Sequence, residues 1–185
     1  SELNAESVRA DLSDLNEVKK MAETILSKYE SLDVLINNAG VIGPEHQSPL
    51  NMDFAGFRRT LTVNTLAPLA VAQACLPALR QHMGSRILSV SSQMSYMDYR
   101  KSDRIAYRAS KAALNKVMQG LATELEGDGI PVALVDPGWV RTDMGGEEAD
   151  EDVDEVAEGI LKIAERMTLA DTGKFFRFSG EERDF

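Results

Sequence analysis

The sequence predicts a single α/β domain built on a doubly wound, mostly parallel sheet. Three observations predict it. Short apolar runs alternate with amphipathic stretches of helical period along nearly the whole chain. The stretches between runs are long enough for helices that cross right-handedly from one parallel strand to the next. Polar and glycine-bearing residues follow directly after the runs, where the carboxyl ends of parallel strands open onto a ligand crevice.

Taken in order, Ser7 to Leu12 reads as a short first strand, and Ser13 as the N-cap of the helix that follows, with Asn16 and Glu17 in its first turn. From Leu15 to Tyr29, the residues Leu15, Val18, Met21, Ala22, Ile25 and Leu26 share one face at helical spacing. Asp33 to Asn37 is a buried parallel strand, followed by a loop from Gly40 to Pro49. A long helix is expected over 54–81, bent near Pro68 and ending near Pro77, because proline lacks the donor and crowds the preceding turn. Arg86 to Ser91 forms a strand, and the polar stretch Ser92 to Arg104 leads into a helix over 105–126 stopped by Gly127 and Gly129. Pro131 to Val135 is a strand, Glu147 to Glu155 an acidic solvated loop, Val153 to Met167 a helix, and Lys174 to Phe178 a closing strand.

Composition excludes several classes. The 185 residues hold 20 Lys+Arg against 30 Asp+Glu, a net charge of −10, which disfavours nucleic acid and anionic membranes. One cysteine, Cys75, and two histidines, His46 and His82, make a poor metal kit, so no metal is expected. No apolar run approaches the roughly 20 residues of a membrane span, and the N-terminus lacks a signal pattern. A cytoplasmic protein is expected.

Chemistry concentrates after the strands. Asn37-Asn38-Ala39-Gly40 follows one, Ser91-Ser92 another, and Asp136-Pro137-Gly138-Trp139-Val140-Arg141-Thr142 a third. Tyr107 and Lys111 lie four residues apart at a helix start, hence on one face. The bland reading of each is ordinary: a surface pair, a turn, a satisfied helical Asn64. Ser89 and Ser95 read as structural, Cys75 as a small core residue, and the histidines as surface residues. Met94, Met97 and Met144 read equally as pocket lining or loop filler.

Together, DLSD (Asp11 to Asp14), NNAG (Asn37 to Gly40), Val63-Asn64, Ser91-Ser92, YRASK (Tyr107 to Lys111) and PGWVRTDM (Pro137 to Met144) resemble the short-chain dehydrogenase/reductase family. The likeness spans residues 1–185 and is closest to its carbonyl-reductase-like and C-signal-like branches. It implies one Rossmann-like domain and an NAD(P)-dependent oxidoreductase acting on a small carbonyl or alcohol substrate, with NADP preferred to NAD. By resemblance, Tyr107 is the general acid/base. Lys111 tunes it and bonds the nicotinamide ribose, Ser92 holds the substrate oxygen, and Asn64 supports a proton-carrying water chain. The cofactor would also meet Asp11, Leu12, Asn38, Ala39, Gly40, Pro137, Gly138, Val140 and Thr142. A homodimer or homotetramer would pair through the helices at 54–81 and 105–126. A non-catalytic dinucleotide-binding or interaction member of the fold, or an inactive fragment, is the alternative.

Two departures stand out. Ser92 lies fifteen residues before Tyr107 where the family pattern has thirteen, which leaves Ser91 and Ser95 as alternatives. The family's opening strand and TGxxxGxG turn have no counterpart, so a βαβ unit of roughly 40 to 60 residues is expected upstream.

Overall fold

Most apolar runs become buried strands and amphipathic stretches become the helices that cover them; the run ending at Asn37, expected to be buried, is instead a partly exposed strand at the sheet edge among the described residues. The computed structural model describes residues 5–185. Its elements are α1 (Leu15–Leu26), β1 (Val34–Asn37), the two-residue strands β2 (Gln47–Ser48) and β3 (Asn51–Met52), and α2 (Phe54–Leu61). A π-helical turn (Thr62–Leu66), α3 (Ala67–Leu79), β4 (Arg86–Val90), α4 (Ile105–Leu125) and β5 (Val132–Asp136) follow. The chain closes with α5 (Val153–Arg166), β6 (Phe175–Arg177) and β7 (Glu182–Arg183). The main sheet has the order β1-β4-β5-β6-β7; its first four strands are parallel and β7 is antiparallel to β6. Strands β2 and β3 pair as a separate small hairpin.

Side-chain alternation divides the core. Ile87, Val132, Leu134 and Phe175 face α3 and α4, where they pack on Cys75, Leu79, Leu114 and Met118. Leu88, Val90, Ala133, Val135 and Phe176 face α5 and meet Val156 and Ile163. This arrangement holds β4 and β5 rigidly in the middle, so the loops leaving their carboxyl ends are fixed in space. Helix α5 lies close to the sheet edge because Gly159 lets it. A methyl group there would sit 2.4 Å from the Phe178 carbonyl oxygen. Gly159→Ala is therefore expected to lower stability by about 1–3 kcal/mol through overpacking, seen as a drop in the thermal midpoint.

Several expectations are corrected. Ser7 to Leu12 is not a strand: residues 5–11 carry no regular structure and find no ladder partner among the described residues. The local polar groups bond one another instead, Asp11 N–H with Glu17 and Asp14 N–H with the Asp11 carbonyl. The cap of α1 is Asp14, whose carboxylate accepts from Asn16 N–H at 2.8 Å, because Ser13 is itself held by Asp11. The helix ends at Leu26, short of Tyr29.

The expected single helix over 54–81 is two helices joined by the π-helical turn around Asn64. Pro68 opens α3, and Pro77 sits inside it without ending it. The carbonyls of its last turn are satisfied from outside, Ala78 by Leu32 N–H and Leu79 by the Ser85 hydroxyl. By length and composition alone the stretch Phe54–Leu79 could cross a membrane, but half of its apolar window is buried in this fold, so it reads as a core helix. The β2–β3 hairpin lies where a loop was expected, and β7 was unforeseen.

Candidate active site

The exits of β1, β4 and β5 and the start of α4 converge on one side of the sheet. Tyr107, in the first turn of α4, is 9% exposed. Its backbone N–H donates to Gln47 Oε1 at 3.1 Å, while Gln47 Nε2 donates to the Ile42 carbonyl at 3.0 Å. The small hairpin thus steadies the helix start. One turn along, Lys111 is 3% exposed; its Nζ donates to the Val90 carbonyl at 2.8 Å and lies 5.8 Å from the Tyr107 ring centre. No carboxylate pairs with it among the described residues, and burial pushes its ammonium down to about 8. Burial pushes the Tyr107 phenol up, the nearby Ser92 hydroxyl pulls it down, and the Asp136 carboxylate raises it again.

Three serines compete on sequence grounds, and their surroundings differ. The Ser91 hydroxyl donates to Asn115 Oδ1, and Asn115 Nδ2 donates to Ser95 Oγ at 2.8 Å. The Ser95 hydroxyl in turn donates to the Ser92 carbonyl at 2.6 Å. Ser91 and Ser95 are therefore occupied in a buried network that braces the turn. Ser92 Oγ accepts from Met94 N–H at 3.1 Å and sits against the phenol.

Asn64 is fully buried. Its Oδ1 accepts from Val41 N–H at 2.8 Å, and its Nδ2 donates to the Val41 carbonyl at 2.8 Å and to Ser110 Oγ at 2.9 Å. Both amide protons are used, so this side chain has no donor left for a water. What it does is stitch the loop after β1 to α4 from a π-helical turn, a local geometry frequent at functional sites. A methyl at Gly40 would sit 3.4 Å from Asn64 Oδ1 and 3.5 Å from Lys111 Nζ, so the glycine backbone and the lysine border one space. Asn38 and Ala39 are exposed on the same loop.

The β5 exit supplies Pro137 and Gly138, the latter at φ +76 in the left-handed region that favours glycine. Beyond it, Trp139 Nε1 donates to the Gly145 carbonyl at 2.8 Å, and Thr142 Oγ1 accepts from Gly145 N–H at 3.2 Å. Val140 bridges to Glu151, and Arg141 ties the loop to the Ala149 carbonyl and to Asp152, the cap of α5. Asp11 and Leu12 stand apart: the Asp11 carboxylate bonds Ser13, and no hydrogen bond joins either residue to the Tyr107 cluster among the described residues.

At the β5 exit opens a cleft of about 340 Å³ bordered by Gln93, the residue after Ser92, and by Trp139, Asp150, Glu151, Arg177 and Glu181. Arg177 is held by Glu151 at 2.6 Å, and Arg183, also on its wall, by Asp136. Sequence reasoning missed Gln47, Asn115 and Arg183, and named Asp136 only as the first residue after a strand. Only Asn115 carried a signal, since it lies four residues beyond Lys111 on the same helical face.

Comparison with known proteins agrees with this geometry. Residues 1–153 match the family model described as short chain dehydrogenase. The chain is 40% identical over 152 residues to the C-signal of Myxococcus xanthus, covering 82% of this chain and 91% of that protein. It is 32% identical over 134 residues to the dehydrogenase/reductase SDR family protein 7-like of Anopheles gambiae, covering 71% of this chain and 40% of that protein. Among solved structures, the NADPH-bound carbonyl reductase from chicken fatty liver superposes with a TM-score of 0.87 at 29% identity, covering 96% of this chain and 76% of that one.

Proposed function

Because this chain belongs to the short-chain dehydrogenase family of oxidoreductases, we propose that it reduces a small aldehyde or ketone with a nicotinamide dinucleotide, Tyr107 giving the proton. The carrying observation is the buried Tyr107–Lys111 pair with Ser92 against the phenol, at the carboxyl end of β4.

The residues present fit such a cofactor. Lys111 offers a buried ammonium with no carboxylate partner among the described residues, and Gly40 leaves room beside it. The backbone of Asn38 to Gly40 would border the adenosine ribose, Lys111 the other ribose, and Pro137 to Thr142 the nicotinamide. NADP is the preferred form, by likeness to the NADPH-bound reductase. When bound, the reduced nicotinamide supplies the hydride.

The protein's share is the proton. Ser92 holds the carbonyl oxygen within reach of Tyr107, and the phenol O–H donates to that oxygen as the carbonyl carbon is reduced. The O–H bond breaks at Tyr107, a new one forms on the product alcohol, and the phenolate left behind is steadied by the Lys111 ammonium. In the reverse direction the phenolate takes the alcohol proton. Asn64 acts here by fixing the Val41 loop against α4, so its contribution is positional.

The cleft walls suggest the substrate class. Both arginines are already paired, whereas Asp150 and Glu181 carry no ion pair among the described residues. A neutral carbonyl compound suits this lining better than an oxo acid. Carboxylate-bearing benzaldehyde is expected to show roughly three- to tenfold lower kcat/KM than uncharged benzaldehyde, a gap that narrows with salt. Equal values for the two would remove the charge argument.

A second reading has one observation behind it, the 40% identity to the C-signal. On that reading the fold would bind a dinucleotide or a partner without turnover. Consumption of reduced cofactor by the intact protein with a panel of neutral aldehydes separates the two.

A further inference from the structure

We propose that Asp136 and Arg183 form a positioning pair that locks the β4 and β5 exits, which flank Ser92 and the loop after β5, to the C-terminal hairpin. The inference rests on the proton-donor reading of Tyr107 given above.

Asp136 ends β5 and is fully buried. Its Oδ1 accepts from two backbone donors at 3.1 Å, Gln93 N–H and Gly138 N–H. The first residue follows Ser92 directly, and the second forms the turn beside the nicotinamide-facing loop. Its Oδ2 meets Arg183 Nη1, brought there because β7 pairs with β6 and sets Arg183 opposite Phe175. One carboxylate therefore fastens three segments, two of which bound the reacting centre. A buried carboxylate without a counter-ion is strongly unfavourable, so the guanidinium is what makes the joint tolerable.

The same carboxylate acts on Tyr107 through space. The groups facing that phenol are Lys111 on its own helix, Arg104 at the helix mouth, Ser92 from the β4 exit and Asp136 from the β5 exit. Asp136 opposes ionisation of the phenol, whereas Arg104 and Ser92 favour it. Arg183, paired with Asp136, offsets that charge. Removing the guanidinium should raise the phenol midpoint, and neutralising the carboxylate should lower it.

The test reads the phenol itself. The intact protein carrying isotopically labelled tyrosine is titrated by NMR, with Tyr107→Phe identifying the Tyr107 ζ-carbon resonance. Asp136→Asn keeps an amide oxygen for Gln93 and Gly138 and is expected to lower the Tyr107 midpoint by about one pH unit. Arg183→Met moves it the other way, and Arg183→Lys restores it. If Arg183→Met does not fold, Asp136→Asn alone decides. An unchanged midpoint in Asp136→Asn overturns the proposal. Because this readout needs no turnover, a protein inactive on every aldehyde would refute the reductase reading and leave the pair to be judged by the titration.

Discussion

Tyr107→Phe is expected to lower turnover by roughly a hundred- to ten-thousand-fold while leaving dinucleotide affinity within about twofold, because it deletes one proton and nothing else. The ring keeps its packing at the start of α4, and the helix start is held through the backbone N–H by Gln47, which the substitution does not touch. Stability should hold or rise slightly, since the phenol is buried. Steady-state kinetics and fluorescence titration of the reduced cofactor measure the two effects separately. Loss of both together would mean that Tyr107 supports the fold and not the chemistry.

Lys111→Met is the second large effect. Loss of an ammonium that steadies charge in a water-poor site is expected to reduce kcat by about a hundred- to a thousand-fold. The pH behaviour carries more information. Burial holds the ammonium down to about 8, against an ordinary 10.5, so in the cofactor-free protein its proton is lost as pH rises through about 8. The wild-type kcat/KM profile should then fall on the alkaline side near that value, and the variant should lack that limb.

Stability runs the other way. Between about 8 and 10.5 the unfolded chain still holds the lysine proton and the folded one does not, so this residue's contribution rises with pH across that window. Below it, the burden of burying the ammonium is carried in full. Urea unfolding of wild type against Lys111→Met at several pH values would show the difference climbing. A flat difference would mean that the lysine is not buried as described.

Much of this site was legible because its parts are local. Tyr107 and Lys111 stand out once their four-residue spacing is read together with the motifs that follow β1, β4 and β5, and strands β4 and β5 by apolar runs buried on both faces. The loop after β1 was equally readable from Asn38 and Gly40. What escaped depends on partners distant in sequence. Gln47 reaches the backbone of Tyr107 sixty residues on, and Arg183 reaches Asp136 across forty-seven.

The choice among Ser91, Ser92 and Ser95 was open on spacing alone. It narrows only when Asn115 is seen to engage the other two. Ser7 to Leu12 forms no strand for a related reason: a strand is defined by its ladder partner, and none lies beside it among the described residues. The two-residue hairpin strands are too short to show a period at all. Asn64 was noticed, but not the partners of its side chain, because Val41 and Ser110 lie 23 and 46 residues away in sequence.

The most direct test of the central claim is cofactor oxidation by the intact protein with a neutral aldehyde, run beside Tyr107→Phe. The account predicts loss of reduced-nicotinamide absorbance matched mole for mole by alcohol formation, and near-abolition of both in the variant. No oxidation with any neutral aldehyde, or equal rates in the two proteins, would contradict it.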